Sequence, residues 1–412
     1  MTMSAAAGKR MAFVVEMARR LHQFGTSAPR LEDAIDRVSA RLQLDCHSLS
    51  TPTSILFSFT DRAGGDAGAL AELTQVIRVS PGQDDLRNLS AVNEIADRVI
   101  DGKLDIDDGF RQLHAIRDRP SAQRAAMEIV AHGIAAASLA AILNGAWSDL
   151  PAAFAIGAVV GALAVTSERR PRLRPSLEAL SALLATFIAT VVSVYLMPLT
   201  LKPVVLASLI VLMPGLTLTT AVRELSTQHL VSGAARFAGA MTTLIKLAFG
   251  TVVANQICIW LQLLPVAPAA APIPQWGQWL ALMFACYSFA VLFRSARRDV
   301  PLVMAAAALG YVITYYGGRE FTPQFGVFLA GFGVGALSNL YAHVSGRPGA
   351  LVRTPGIILL VPGSIGFLTL SQIAQRDVFL GLNSAITLTA ILISLVAGLL
   401  FGDLFVSPRR VL

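Results

Sequence analysis

The chain has 412 residues, of which 54% are hydrophobic and only 14% charged, well below the roughly 25% charged of soluble domains. Residues 1–120 carry 15 Lys+Arg against 17 Asp+Glu, whereas residues 121–412 carry 18 against 9. The net charge of +7 therefore belongs to the apolar part, where basic residues between long apolar runs point to orientation in a bilayer and exclude a wholly soluble protein or a nucleic-acid binder.

Phe13, Val14, Met17, Leu21 and Phe24 follow helical spacing, and Gly25 is a natural stop. Ser27 and Pro29 open a second helix with Leu31, Ala34, Ile35, Val38 and Leu42 on one face. A short strand is expected around Leu44–Leu49. Ile55, Phe57 and Phe59 alternate with Ser54, Leu56 and Ser58 as a strand does, and Leu73, Gln75, Ile77 and Val79 make another before the Pro81-Gly82 turn. Leu86, Leu89, Val92, Ile95, Ala96 and Val99 predict a third helix, capped by Asp84 or Asp85. Phe110, Leu113 and Ile116 mark a fourth, ended by Pro120. The first 120 residues thus read as a small soluble α+β domain.

No catalytic spacing is evident there. His22, His47 and His114 are far apart in sequence, and Asp105, Asp107 and Asp108 stand at a helix start, where carboxylates complement the helix dipole. A hydrolase or metal site is the rival reading, without a supporting motif. Cys46, Cys258 and Cys286 form no disulfide or metal framework and are expected as small core residues. Glu16, Arg19 and Arg20 interrupt any apolar start, so no signal peptide is expected.

Ten apolar segments follow, at about 124–144, 151–166, 176–197, 203–222, 231–263, 277–293, 301–317, 325–342, 351–372 and 378–405. Most approach the ~20 residues that cross hydrocarbon. With the N-terminus inside, the inner loops hold Arg169, Arg170, Arg172, Arg174, Arg223, Arg294, Arg297, Arg298, Arg347, Arg353, Arg409 and Arg410; the outer loops hold Lys202, Arg319 and Arg376. This bias predicts a plasma (inner) membrane protein with both termini cytoplasmic.

The membrane part repeats itself. Ile210-Val211-Leu212-Met213-Pro214-Gly215 resembles Ile358-Leu359-Leu360-Val361-Pro362-Gly363 at an offset of 148 positions, which also sets Gly233 on Gly381 and Gly250 on Gly398. Gly157-x-x-x-Gly161-Ala162-Leu163 matches Gly331-x-x-x-Gly335-Ala336-Leu337. The halves run over 121–270 and 275–412 with five spans each, and an odd number inverts the second copy. The predicted fold class is a membrane all-α protein of about 10 transmembrane helices in a 5+5 inverted repeat, an arrangement found in secondary transporters with the site near mid-membrane. Chance recurrence of Gly-Ala-Leu strings is the competing explanation.

Pro214-Gly215 and Pro362-Gly363 fall within the fourth and ninth spans, where proline removes a backbone donor and glycine frees the chain. Each pair is expected to break its helix and present a half-helix N-terminus suited to a carboxylate. Thr217, Thr219, Thr220, Ser364 and Thr369 follow the breaks and supply hydroxyls. A packing kink with hydroxyls bonded to their own helix is the other reading. In the fifth span, Lys246 is the deeper cation and the candidate for binding an anionic group, whereas Arg236, a proton-coupling candidate, is near enough to the end to snorkel instead. Asn255 and Gln256 add polarity, with Asn383, Ser384, Thr387 and Thr389 as rough counterparts in the tenth span. Glu128 and His132, four residues apart, share a helix face and suit proton relay, with a boundary pair as the alternative.

The chain resembles the threonine/serine exporter (ThrE) family of bacteria and fungi. The likeness runs through Leu21-His22-Gln23-Phe24-Gly25-Thr26-Ser27-Ala28-Pro29-Arg30-Leu31-Glu32, Pro52-Thr53-Ser54-Ile55, Arg78-Val79 and Gly102-Lys103-Leu104. It continues in Val211-Leu212-Met213-Pro214-Gly215, Ser232-Gly233-Ala234-Ala235-Arg236, Thr354-Pro355-Gly356 and Leu360-Val361-Pro362-Gly363-Ser364. The resemblance implies proton-driven export of threonine and serine. A split two-subunit branch implies dicarboxylates such as succinate, and this chain resembles both subunits fused. The expectation is a non-enzymatic exporter with a small-molecule substrate, protons and the lipid bilayer as partners and no cofactor, metal or nucleic acid; homo-oligomerisation stays open. A membrane-anchored enzyme with a catalytic N-terminal domain, and a passive channel, are the alternatives.

Overall fold

Apolar residues at helical spacing wind the start of the chain into α1 (Ala5–Gln23), which Gly25 ends with a φ of +89°. α2 (Ala28–Arg41) follows, and then an antiparallel sheet in the order β1 (Leu44–Ser50), β2 (Ser54–Asp61), β3 (Glu72–Arg78). Ile55, Phe57 and Phe59 of β2 point into the core with no exposure, while Leu49, Leu56 and Val76 face outward. α3 (Leu86–Ile100) is capped by Asp85, which accepts from the Asn88 N–H at 2.8 Å, and α4 (Ile106–Ala115) by Asp105. The acidic cluster at residues 105–108 is thus a helix start. The computed structural model describes residues 5–61, 72–116, 121–265, 272–375 and 377–408; the expected roles of Pro120, Arg376, Arg409 and Arg410 lie outside them.

The rest of the chain is helical: α5 (Ala122–Ile142), α6 (Asp149–Arg169), α7 (Leu177–Tyr195), α8 (Leu201–Leu209), α9 (Gly215–Ser226), α10 (Leu230–Trp260), α11 (Gln275–Leu292), α12 (Val300–Glu320), α13 (Pro323–Ser345), α14 (Ala350–Ile358), α15 (Gly363–Ala374) and α16 (Val378–Phe405). Among the described residues eight spans, one of them α14 with α15, are long and apolar enough to cross a membrane. The pair α8 and α9, bent by 56°, makes a ninth. α11 falls short of that measure: Gln275 and Gln278 make its first turn polar. Trp147, Trp276, Tyr316 and Trp260 are exposed at helix ends remote from the N-terminal domain, where amphipathic rings suit a bilayer interface.

α10 packs on α7 and α16 on α13, each through a glycine. A Cβ at Gly250 would lie 2.2 Å from the Ala179 carbonyl, and one at Gly398 2.3 Å from that of Phe328. Only a residue without a side chain lets these backbones meet so closely.

The N-terminal domain is fastened to the ends of the membrane helices. Ser27 at the start of α2 makes no side-chain cap; instead the Ala28 N–H donates to Glu224 Oε1 of α9 at 3.0 Å. The Leu86 N–H that opens α3 donates to the Phe293 carbonyl at 3.0 Å. Glu32 of α2 lies 3.3 Å from His229. Glu224 is 1% exposed and also accepts from Ser232 at 2.8 Å and Arg236 at 3.1 Å. Two helix starts of one domain therefore take their acceptors from the other, which ties the folding of one to the presence of the other.

Candidate functional site

Both Pro-Gly pairs break their helices, and they do so alike. Pro214 has φ −81° and ψ 44°, Pro362 φ −83° and ψ 39°, and each is followed by a half-helix of 12 residues, α9 and α15. Neither half-helix start carries a side-chain cap. The Gly215 N–H donates to the Met213 carbonyl at 2.8 Å, and the positive dipole end with the other first-turn N–H groups, unbonded among the described residues, remains there.

The two breaks touch. A Cβ on Gly363 would lie 3.3 Å from Gly215 Cα, and one on Gly215 only 2.1 Å from Val361 Cγ1. Glycine at both positions is what allows the crossing. Beside it lies a cavity of about 520 Å³, lined by Pro214, Gly215, Thr217, Gly363 and Ser364, by Thr243 of α10 and by Tyr311 of α12. It extends past Glu128, His132, Glu168, Glu178 and Arg294 to Gln83 and Asp84 of the N-terminal domain.

Hydrogen bonding sorts the expected hydroxyls. Thr219 donates to the Gly215 carbonyl at 3.1 Å and Thr369 to that of Ile365 at 2.8 Å. Thr387 and Thr389 likewise bond back into α16, and Ser384 donates to Gln372. Those groups are occupied by their own helices and neighbours. Thr217 and Ser364 line the cavity and make no hydrogen bond among the described residues.

The charged candidates separate as well. Glu128 accepts from Arg294 at 2.8 and 3.3 Å, and the same guanidinium reaches Glu168 at 2.8 Å. These two carboxylates drive the Arg294 pKa above its usual value against the opposing effect of burial. His132 Nδ1 bonds the Glu128 carbonyl at 2.8 Å, inside its own helix. Lys246 is not free at mid-membrane. It lies 16 residues into α10, a helix of 31 residues and thus about 46 Å, but it stands against Glu178 in the first turn of α7, at 3.5 Å. Arg236 is occupied by Glu224. Asn255 and Asn383 do not line the cavity, and Asn383 is exposed.

Sequence reasoning missed Glu168, Glu178 and Arg294 as wall residues. Arg294 carried a signal only as an inner-loop charge, and its acidic partners lie 166 and 126 positions away. Among the described residues no His, Cys, Asp and Glu group can hold a metal, and the three cysteines are buried and free. The histidines of the N-terminal domain do not converge: His22 contacts the Thr51 carbonyl at 3.1 Å, His114 lies 3.2 Å from Glu16, and His47 is exposed.

Two successive family matches cover almost the whole chain. Residues 12–258 match the family described as "Putative threonine/serine exporter", and residues 278–405 that described as "Threonine/Serine exporter, ThrE". The chain belongs to the threonine/serine exporter family. Its two matched parts meet the expectation of a fused form and make it a multi-pass membrane protein. Among relatives of this exporter-family chain is "Pheromone-regulated membrane protein 10" of Debaryomyces hansenii, 26% identical over 400 residues, covering 92% of this chain and 38% of the relative. The protein of the same name from Saccharomyces cerevisiae is 25% identical over 387 residues, covering 92% and 49%. The chain therefore spans less than half the length of these fungal relatives. No solved structure matches it.

Proposed function

We propose that the protein is a secondary active exporter of small carboxylate-bearing solutes, threonine and serine first, driven by the proton gradient. The observation that carries this reading is the contact of two matched Pro-Gly breaks beside a polar cavity. Solute binds there, its carboxylate at the uncapped starts of α9 and α15 and its polar groups at Thr217 and Ser364. Pro362 sets the second break, and Thr219 stiffens α9.

An inverted repeat supplies the motion. In its favour, the half-helices over 215–226 and 363–374 keep the offset of 148 positions at both ends, as do the starts of α10 and α16. Each half can then exchange roles with the other about the crossing, in a plasma membrane with both termini cytoplasmic. For proton coupling Glu178 is a better carrier than the expected Glu128–His132 pair or Arg236. Glu178 Oε2 is buried and makes no hydrogen bond, with only the Lys246 ammonium 3.5 Å away, whereas Glu128 is hydrogen-bonded by Arg294 at 2.8 and 3.3 Å.

The test is counterflow of labelled L-threonine, L-serine and succinate in proteoliposomes of purified full-length protein. Thr217→Val with Ser364→Ala should reduce exchange of the preferred solute at least tenfold. Undiminished exchange would remove the crossing as the site, and preference for succinate over both amino acids would make the protein a dicarboxylate exporter.

A further inference from the structure

A second cavity, of about 650 Å³, lies between the N-terminal domain and the membrane helices, on the other side of Asp84. Its lining joins Arg30 of α2, Arg223 of α9 and Arg353 of α14. Arg223 and Arg353 share a single carboxylate, Asp403 of α16. Arg223 Nη2 lies 2.6 Å from it, Arg353 donates to it through Nη2, and Asn339 donates to it at 2.8 Å. Arg353 is further fixed by Ser338 at 3.1 Å and by Asn339 at 3.0 Å.

Arg30 has neither hydrogen bond nor ion pair among the described residues, yet it stands close enough to feel both other guanidiniums. Repulsion by Arg353, then burial, then Arg223 lower its pKa well below the ordinary arginine range, with Asp403 and Asp33 opposing. Three cations thus face one anion. The remaining charges do not correct the imbalance: Asp84 on the same lining interacts with Arg236, and Arg37 adds a further cation. Glu224 is taken by Arg236, and Arg347 by Asp299 at 2.7 Å. Asp33 and Asp36 lie on the solvent-exposed rim of α2.

Burying like charges together costs free energy unless an anion joins them. We infer that Arg30, Arg223 and Arg353 form a receiving station for the carboxylate of a small solute, completed only when the N-terminal domain is docked. The planar guanidinium forks match a carboxylate in pairs. The carboxylates of Asp33 and Asp36 on the exposed rim disfavour a second negative charge at the far end of the ligand. The identity of the solute rests on the exporter reading; the station itself does not. It gives the N-terminal domain a task, since of the three arginines the domain contributes the one that makes no ion pair among the described residues.

Binding to full-length protein in detergent tests the station without transport. L-Threonine, succinate and inorganic phosphate are titrated by calorimetry at constant ionic strength against wild type, Arg30→Gln and Arg41→Gln, the last removing an α2 charge outside the cavity. Among the described residues Arg30 makes no bond that holds the fold, so Arg30→Gln is expected to fold as wild type does, unlike Arg353→Gln. At least one carboxylate should bind wild type and Arg41→Gln equally and Arg30→Gln about tenfold or more weakly. Equal affinity in Arg30→Gln, no carboxylate binding, or binding of phosphate alone would overturn the station. Arg30-dependent binding without counterflow would leave the station standing and remove the exporter; counterflow without it would do the reverse.

Discussion

At the residue scale, two carboxyls carry most of what can be measured. Glu178 lines the cavity beside the helix crossing with one oxygen unbonded and Lys246 at 3.5 Å. If it carries the coupled proton, Glu178→Gln should leave counterflow within about threefold of wild type and abolish acceleration of net flux by a pH gradient. Full gradient dependence in that variant would rule Glu178 out. Asp84 stands between the two cavities, and burial pushes its carboxyl up to about 6, with Arg236 opposing. A carboxyl whose folded pKa exceeds its unfolded value near 3.8 holds its proton more tightly in the folded protein. Stability owed to this group is therefore full below pH ~4 and declines as pH rises through 6. Asp84→Asn should raise the melting temperature by a few degrees at pH 7.5 and leave it unchanged at pH 4. A uniform shift at both pH values would show that Asp84 stays ionised. No sequence pattern marks either role. Asp84 reads as a candidate cap, a task that falls to Asp85, and Glu178 has no local partner, because Lys246 lies 68 positions along the chain.

At the scale of elements, the breaks were legible because proline and glycine act on their own helix. The offset of 148 positions also sets the half-helix over 215–226 on that over 363–374. What the sequence concealed is that the breaks meet, since nothing local in Met213-Pro214-Gly215 specifies Val361 as its neighbour. The contact can be tested by adding one carbon. At Gly215 the new Cβ meets a side-chain methyl of Val361 at 2.1 Å, so Gly215→Ala should lose about 1–3 kcal/mol by overpacking. Val361→Ala in the same chain should restore most of that loss. At Gly250 the obstacle is the Ala179 carbonyl at 2.2 Å, so Gly250→Ala should be as damaging and be rescued by no side-chain truncation. Thermal unfolding of purified single and double variants measures both. Strict additivity of Gly215→Ala and Val361→Ala would deny the contact between the breaks. The N-terminal domain illustrates the same division. Its strands and helices follow from apolar periodicity, whereas the start of α2 is satisfied by Glu224, 196 positions away.

For the whole molecule, the direction in which the cavity opens is the decisive property. Its lining runs from the crossing past Glu128 and Arg294 to the Asp84 loop, so access is from the side of the N-terminal domain. On the proposed inverted repeat, the two halves have a second arrangement of similar energy in which the opposite side opens, and solute shifts the balance only by binding the two states differently. Thr217 lies at the crossing and lines the cavity, so a cysteine placed there reports which side is open. The native Cys46, Cys258 and Cys286 are buried and serve as silent background. In proteoliposomes of known orientation, Thr217→Cys should react with a membrane-impermeant thiol reagent from the N-terminal-domain side at rest. Under an opposing solute and proton gradient, reactivity should move to the other side. A passive channel would react from both sides at once. A static scaffold would react from one side whatever the gradient. Only an alternating transporter exchanges one for the other, and that exchange needs both Pro-Gly breaks, because a single hinge opens one side without closing the opposite one.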